Sequence, residues 1–374
     1  MIDIAFTIGN LNKEHGGAQQ LLFDICRHLP DSEFETTVYY MFGEGTFQEE
    51  LERHGTTVVD LDASSNYDLG AFRRLIGYLR QSTHDILHTN SPISGVWGRT
   101  AGRASGLPHI VSVEHNVHSG YSKFTRTANG VSLPLADVVV GVTRAVSESY
   151  SDWEEWLLND STARRTIHNG VDVDAIIETF DRSDEVLTQY TPFSPSDCII
   201  GTVGKHLEQK GFSYLIQAFP EIKRECEDAK LLVLGDGPLR RELETLARET
   251  EYSEDVHFTG YVPEVYPFLP NFDVAVFPSL WEGFGLTVAE AMIAKRPVVG
   301  TTIPAFDEVI GDSGLLVEPE DPSAIAAAVV QLVENPELCR DLGERGYCRA
   351  VQQFSIRRTV EQYADLYREL ALPS

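Results

Sequence analysis

Paired cysteine spacing is missing from this sequence. Its five cysteines (Cys26, Cys198, Cys226, Cys339 and Cys348) are scattered, which excludes a disulfide framework and a zinc-ribbon type of site and fits reduced thiols. No apolar run is long enough to cross a bilayer, and the opening Met1-Ile2-Asp3-Ile4-Ala5-Phe6 reads as a strand rather than a signal peptide. The expected location is therefore the cytoplasm. Positive charge is scarce: 30 Lys and Arg face 57 Asp and Glu, a formal charge of −27, which argues against nonspecific binding to nucleic acid. Lysine is the scarcer of the two bases, at 7 against 23 Arg. A high-salt cytoplasm favours so acidic and Lys-poor a surface, because screening removes its self-repulsion; an acidic mesophilic protein has the same composition.

The positive charge that exists is unevenly placed. Residues 73–126 carry Arg73, Arg74, Arg80, Arg99, Arg103, Lys123 and Arg126 against only Asp85 and Glu114. As a surface patch, this region would suit an anionic partner, either a phosphate-bearing acceptor or the head groups at the inner face of a membrane, contacted peripherally. A helix with Arg on its wet face gives the same composition.

What is abundant is alternation of strand and helix. With 374 residues the chain is expected to hold two domains. Apolar runs at Ile2–Ile8, 37–41, 57–60, 85–88, 110–113 and 136–142, each followed by helical spacing, predict one parallel sheet covered on both faces. The pattern resumes at Cys198–Val203 and continues through 230–234, 257–259 and 272–276. Between the two sets lies a polar stretch, 181–197, whose portion Tyr190-Thr191-Pro192-Phe193-Ser194-Pro195-Ser196-Asp197 reads as a linker. The expected domains are 1–185 and 196–354. A lone final helix, carrying Val360, Tyr363, Leu366 and Leu370 on one face, is expected to cross back to the first domain with residues 355–374. The fold class is thus α/β, with two Rossmann-like domains facing across a cleft.

The candidate chemistry sits at predicted strand ends. No G-x-G-x-x-G turn follows the first strand; Gly16-Gly17 instead opens a helix and allows close backbone approach to a phosphate or sugar. Two later strands end in His88-Thr89-Asn90 and Glu114-His115-Asn116. Lys205 and Lys210, two of only seven lysines, share one strand-end loop and would supply point charges for a diphosphate. The stretch 277–291 passes from strand through a Gly-rich loop holding Glu282 into a helix holding Glu290. There, helix-start amides favour an anion while two carboxylates address hydroxyls, the chemistry of a sugar nucleotide. A solvated loop glutamate and a first-turn glutamate answering the helix dipole have the same spacing.

Taken in order, these pieces resemble the retaining glycosyltransferases of family 4 (glycosyl transferases group 1), which have the GT-B fold. The matching pieces are Gly16-Gly17-Ala18-Gln19, Glu114-His115-Asn116, Asn169-Gly170-Val171-Asp172, Val203-Gly204-Lys205, Lys210-Gly211, Leu234-Gly235-Asp236-Gly237-Pro238, Gly260-Tyr261-Val262 and the Glu282–Glu290 pair. The resemblance implies that Glu290 holds ribose hydroxyls and Glu282 the hydroxyls of the transferred sugar. It implies that amides of Gly283, Phe284, Gly285, Leu286 and Thr287 take phosphate and sugar oxygens. Lys205 and Lys210 would neutralise the leaving diphosphate, His115 would face the reacting sugar, Gly16 and Gly17 would close near the diphosphate, and main chain at Val262 would meet the base. Lys205 stands where arginine is more frequent, and Gln19 where glutamate is frequent. The implied function is sugar transfer from a nucleotide-diphosphate sugar to a lipid-linked or saccharide acceptor, without metal or other cofactor. A sugar-nucleotide epimerase or hydrolase of the same fold, or a noncatalytic sugar-nucleotide-binding protein, would carry the same motifs. Base, sugar, acceptor, linkage and oligomeric state are not encoded legibly.

Overall fold

The computed structural model describes residues 1–12, 16–43, 45–90, 92–158 and 162–372. The chain divides into two compact units, Met1–Gly170 together with Ile356–Ser374, and Val171–Ser355. Residues 171–185, expected with the first domain, pack instead on the second unit. Helix Val173–Ile177 contacts helix Leu286–Ile293, and helix Ser183–Tyr190 lies on the turn Tyr266–Asn271. Asn271 donates to the Ser183 carbonyl at 3.0 Å, and Arg182 pairs with Glu264 at 2.7 Å. The polar stretch is helical only as far as Tyr190, its polarity there that of a wet face; residues 191–197, read as the linker, are an irregular segment inside the second unit.

The first unit is built on β1 (Ile2–Ile8), β2 (Phe34–Tyr40), β3 (Thr57–Asp60), β4 (Ile86–Asn90), β5 (His109–Glu114), β6 (Val138–Gly141) and β7 (Ala163–Thr166). They form one parallel sheet in the order β3-β2-β1-β4-β5-β6-β7. Central strands are buried on both faces: β4 and β6 at every position, β1 and β5 at all but their first residues. β7, whose sequence Ala-Arg-Arg-Thr carries no apolar run, is an exposed edge strand that periodicity did not predict. Helix Ile356–Ala371 returns to this unit and packs on β1, β4 and helix Gly17–His28. Its buried face includes Val360, Tyr363 and Leu366 as expected, but Tyr367 rather than Leu370. The Tyr367 hydroxyl meets His88 Nδ1 at 2.6 Å.

The second unit holds β8 (Cys198–Val203), β9 (Ala229–Leu234), β10 (Val256–Gly260), β11 (Val274–Phe277), β12 (Val298–Thr301) and β13 (Leu315–Val317). They are again parallel, in the order β10-β9-β8-β11-β12-β13. In both sheets strand order reverses once, between β1 and β4 and between β8 and β11. At such a point the connections leave in opposite directions and open a crevice at the strand carboxyl ends. Among the described residues no helix is long and apolar enough to cross a membrane.

Candidate functional site

In the second unit the reversal point brings together the loops after β8 and β11. Gly211 takes φ 61°, and a Cβ on it would lie 2.0 Å from the Pro278 carbonyl oxygen, so the two loops touch backbone to backbone. The Leu280 amide donates to the Gln209 carbonyl at 2.8 Å, completing the clip. This contact sets Glu282 beside the lysine loop. Its carboxylate, 8% exposed, accepts from Lys210 Nζ at 2.5 Å, Gln209 Nε2 at 3.2 Å and Ser279 Oγ at 3.3 Å. Ser279 is itself fixed, since its carbonyl receives the Thr301 hydroxyl at 2.5 Å. Lys205 projects from the same loop into solvent.

Residues 283–285 then lead into helix Leu286–Ile293, capped by Gly285 at φ 93°. A side chain there would meet Phe306 at 2.7 Å. The cap offers no side-chain acceptor, so the first helical amides keep their capacity for an anion. Glu290 is the fifth residue of this helix and 9% exposed; the tilt of helical Cα–Cβ bonds points it back toward the helix start. Val262, buried, follows β10. The β10 end is tied to the Gly235-Asp236-Gly237-Pro238 loop through the Gly235 amide and Gly260 carbonyl at 3.1 Å. That loop in turn holds the lysine loop: the His206 amide donates to Asp236 O at 2.9 Å. The His206 ring is fully buried against Phe212 and Phe258, and burial pushes it down to about 4, so it is neutral.

The first unit assembles a second set at its own reversal point. His115 Nε2 lies 2.8 Å from Asn90 Oδ1, and Asn90 Nδ2 donates to the Thr7 carbonyl at 3.3 Å, joining the ends of β5, β4 and β1. Burial pushes His115 down to about 4, the Glu114 charge opposing it. The imidazole is therefore neutral, with its Nε2 proton directed at the amide oxygen. Gly16 (φ 131°) caps helix Gly17–His28 with no side-chain acceptor. Gln19 donates to Asn10 at 3.2 Å rather than offering a carboxylate. Lys13, Glu14 and His15 of this loop lie outside the described residues.

The basic stretch 73–126 is not one patch. Arg99 is fully buried, Arg103 pairs with Asp137 at 2.6 Å, and Arg126 pairs with Glu154 at 2.8 Å. Arg73, Arg74, Arg80 and Lys123 remain exposed. Sequence reasoning did not single out Gln209, Ser279 or Asn90 as the groups that orient Glu282 and His115. Asn90 stood in a flagged strand-end cluster, whereas nothing local marks Gln209 or Ser279.

Comparison with known proteins gives the same division. Residues 15–175 match the family model "Glycosyltransferase Family 4", and residues 197–335 match "Glycosyl transferases group 1". The chain is 28% identical over 308 residues to the putative glycosyltransferase EpsD of Bacillus subtilis, with 80% of each chain covered. It is 24% identical over 323 residues to the Escherichia coli UDP-Gal:alpha-D-GlcNAc-diphosphoundecaprenol alpha-1,3-galactosyltransferase, covering 82% of this chain and 80% of that one. Among solved structures, HepE from Anabaena in complex with UDP and glucose superposes with a TM-score of 0.83 at 18% identity, covering 99% of this chain and 100% of that one. With one model on each of its two sheets, the chain belongs to the family-4 glycosyltransferases, enzymes of the GT-B fold.

Proposed function

We propose that this glycosyltransferase is a retaining enzyme, moving a sugar from a nucleotide-diphosphate sugar to a lipid-linked or saccharide acceptor without a metal ion. One observation carries the reading: the Lys210–Glu282 pair stands directly before a helix start whose glycine cap supplies no side-chain acceptor. Breaking the bond from sugar C1 to the diphosphate oxygen puts negative charge on the leaving group and positive charge on the sugar. Cations and amides fixed in advance at the diphosphate lower that barrier at no reorganisation cost. In this reading Lys205, Lys210 and the amides of 283–287 take the diphosphate. Glu282 accepts from sugar hydroxyls, Glu290 from the ribose, and main chain at Val262 meets the base. Neutral His115, its one proton directed at Asn90, faces the reacting sugar as an acceptor, and Gly16 and Gly17 let backbone come close to the diphosphate. The acceptor hydroxyl attacks from the face the diphosphate leaves, and a departing phosphate oxygen takes its proton. Glu282, engaged by Lys210, Gln209 and Ser279, is a poor nucleophile for double displacement.

The Escherichia coli relative named above, whose acceptor is a diphosphoundecaprenol carrier, supports a lipid-linked acceptor. UDP in the Anabaena structure supports a nucleotide-sugar donor. A cytoplasmic enzyme touching the inner membrane face would do so through Arg73, Arg74, Arg80 and Lys123. The test begins with a thermal-shift screen of UDP-, GDP- and ADP-sugars, since a ligand bound only by the folded form raises its melting temperature. Product analysis with and without acceptor follows. Anomer-retaining transfer in EDTA supports the reading. Epimerised or hydrolysed donor in the presence of acceptors, an inverted product, or loss of activity in EDTA overturns the corresponding part.

A further inference from the structure

Directly behind His115 lies a buried charge network that the reading above does not use. Glu114, the last residue of β5, is fully buried. Its carboxylate accepts from Asn129 Nδ2 at 2.7 Å and Ser112 Oγ at 3.2 Å, with the Arg99 guanidinium 3.6 Å away. Arg99, also fully buried, is held by Ser112 at 2.5 Å, Asn129 at 2.6 Å and Ser132 at 2.7 Å. On the far side Glu154, again fully buried, accepts from Arg126 Nη2 at 2.8 Å and from the Ser151 amide and hydroxyl at 2.9 and 2.7 Å.

His118 stands between these carboxylates with no exposed surface. Its Nε2 is 3.2 Å from Glu114 Oε2 and its Nδ1 is 2.8 Å from Glu154 Oε1. A neutral imidazole has one donor, so it would turn a lone pair toward one carboxylate; only the imidazolium donates to both. Tyr150 and Tyr121 close the ring's other sides at centroid distances of 4.5 and 5.6 Å. The backbone is anchored at the same residue, the His118 amide donating to Ser149 Oγ at 3.1 Å. Both carboxylates are held low, at about 2, by these donors against the opposing cost of burial, and the His118 ring is raised by the two carboxylates against the same cost.

His118 follows His115 by three residues, and the turn between them has its fixed far end here. We propose that His118, an imidazolium clamped between Glu114 and Glu154, is the positioning residue for His115 and sets the alkaline limit of sugar transfer. When the clamp loses its proton, a buried carboxylate faces a lone pair, the 115–121 turn relaxes, and the His115 ring leaves its place at Asn90. The inference rests on the reading of His115 given above, and the experiment separates the two.

Full-length wild type, H118Q, E154Q and H115A are compared by pH–rate profile, using the best-turned-over donor from the UDP-, GDP- and ADP-sugar panel, and by affinity for the matching nucleoside diphosphate. Glutamine at 118 can donate in one direction only. H118Q is expected to lose at least tenfold in kcat at pH 7, to keep donor KM and nucleotide affinity within twofold, and to lack the wild-type alkaline fall. E154Q keeps the imidazole but removes one anion, so its alkaline fall is expected at lower pH than in wild type. A wild-type kcat and profile in H118Q overturns the positioning role. So does an unmoved alkaline fall in E154Q, which decides the matter if H118Q does not fold. Unimpaired transfer by H115A overturns the reading of His115, and the positioning role with it.

Discussion

Lys210 and Lys205 share a loop but not a state. Lys210 is held at 2.5 Å from a buried carboxylate, while Lys205 stands in solvent. A held cation is already where charge develops, and an exposed one must be recruited from water, so their removal should differ in cost. Lys210→Ala is expected to lower kcat/KM about 10²-fold and Lys205→Ala about tenfold, read from initial rates at limiting donor. Glu290→Ala is expected to raise the KM for the donor while the melting temperature without ligand stays near wild type. Gly211→Ala acts on stability instead: its Cβ would sit 2.0 Å from Pro278 O at φ 61°, and a loss of about 3 kcal/mol is expected in denaturant titration. At this scale the sequence shows which side chains are chemically able, because lysines and glutamates at strand ends stand out in a chain with 7 Lys. It does not show their neighbours. Gln209 and Lys210 reach Glu282 across 73 and 72 residues, a proximity made by the reversal in strand order and not by spacing.

Most elements were legible where burial had written a continuous apolar run, although the short buried strand β12 was not read. β1, β3 and β8 fall where their runs lie, β2 starts three residues earlier than its run, and the other expected strands shift by a residue or two at their ends. β7 escaped because an edge strand with Arg164 and Arg165 facing solvent carries no such run, and β13 because three half-buried residues are too few to show a period. The boundary near residue 185 was misplaced for a related reason: a polar helix on the outside of a domain and a linker have similar composition. The final helix was legible as amphipathic, but its polar contribution was not. Tyr367 lies among apolar positions, and only the fold reveals that its hydroxyl meets the buried His88. Tyr367→Phe leaves that imidazole nitrogen without its partner and is expected to destabilise the first unit by about 1–3 kcal/mol, measured as a lower midpoint in urea with unchanged slope.

For the whole molecule, buried histidines set the acid side of stability. His88 is pushed down to about 3 and His115 and His206 to about 4, all by burial. Their ordinary value is 6.5, so below it the unfolded chain binds protons that the folded chain refuses, and stability falls as pH drops from 6.5 toward 4. Glu114 and Glu154, held at about 2, extend the loss below pH 4.5. His118 runs the other way: its value is raised on folding, so its contribution is complete below 6.5 and disappears as pH rises through the folded value. Melting temperatures from pH 4 to 9 are expected to form a broad maximum with the steeper side in acid. The formal charge of −27 adds a salt dependence, and the melting temperature is expected to rise between 0.05 and about 1 M NaCl as repulsion is screened. The return of helix Ile356–Ala371 to the first sheet makes the second unit an insertion within the first. On the ribosome, then, β1 and β4 are made early but wait for their cover until residues 356–371 emerge, long after the inserted unit has all of its strands. The part of the enzyme translated first is the part that finishes last, and a chain cut before residue 356 would join one whole unit to one that lacks its final helix.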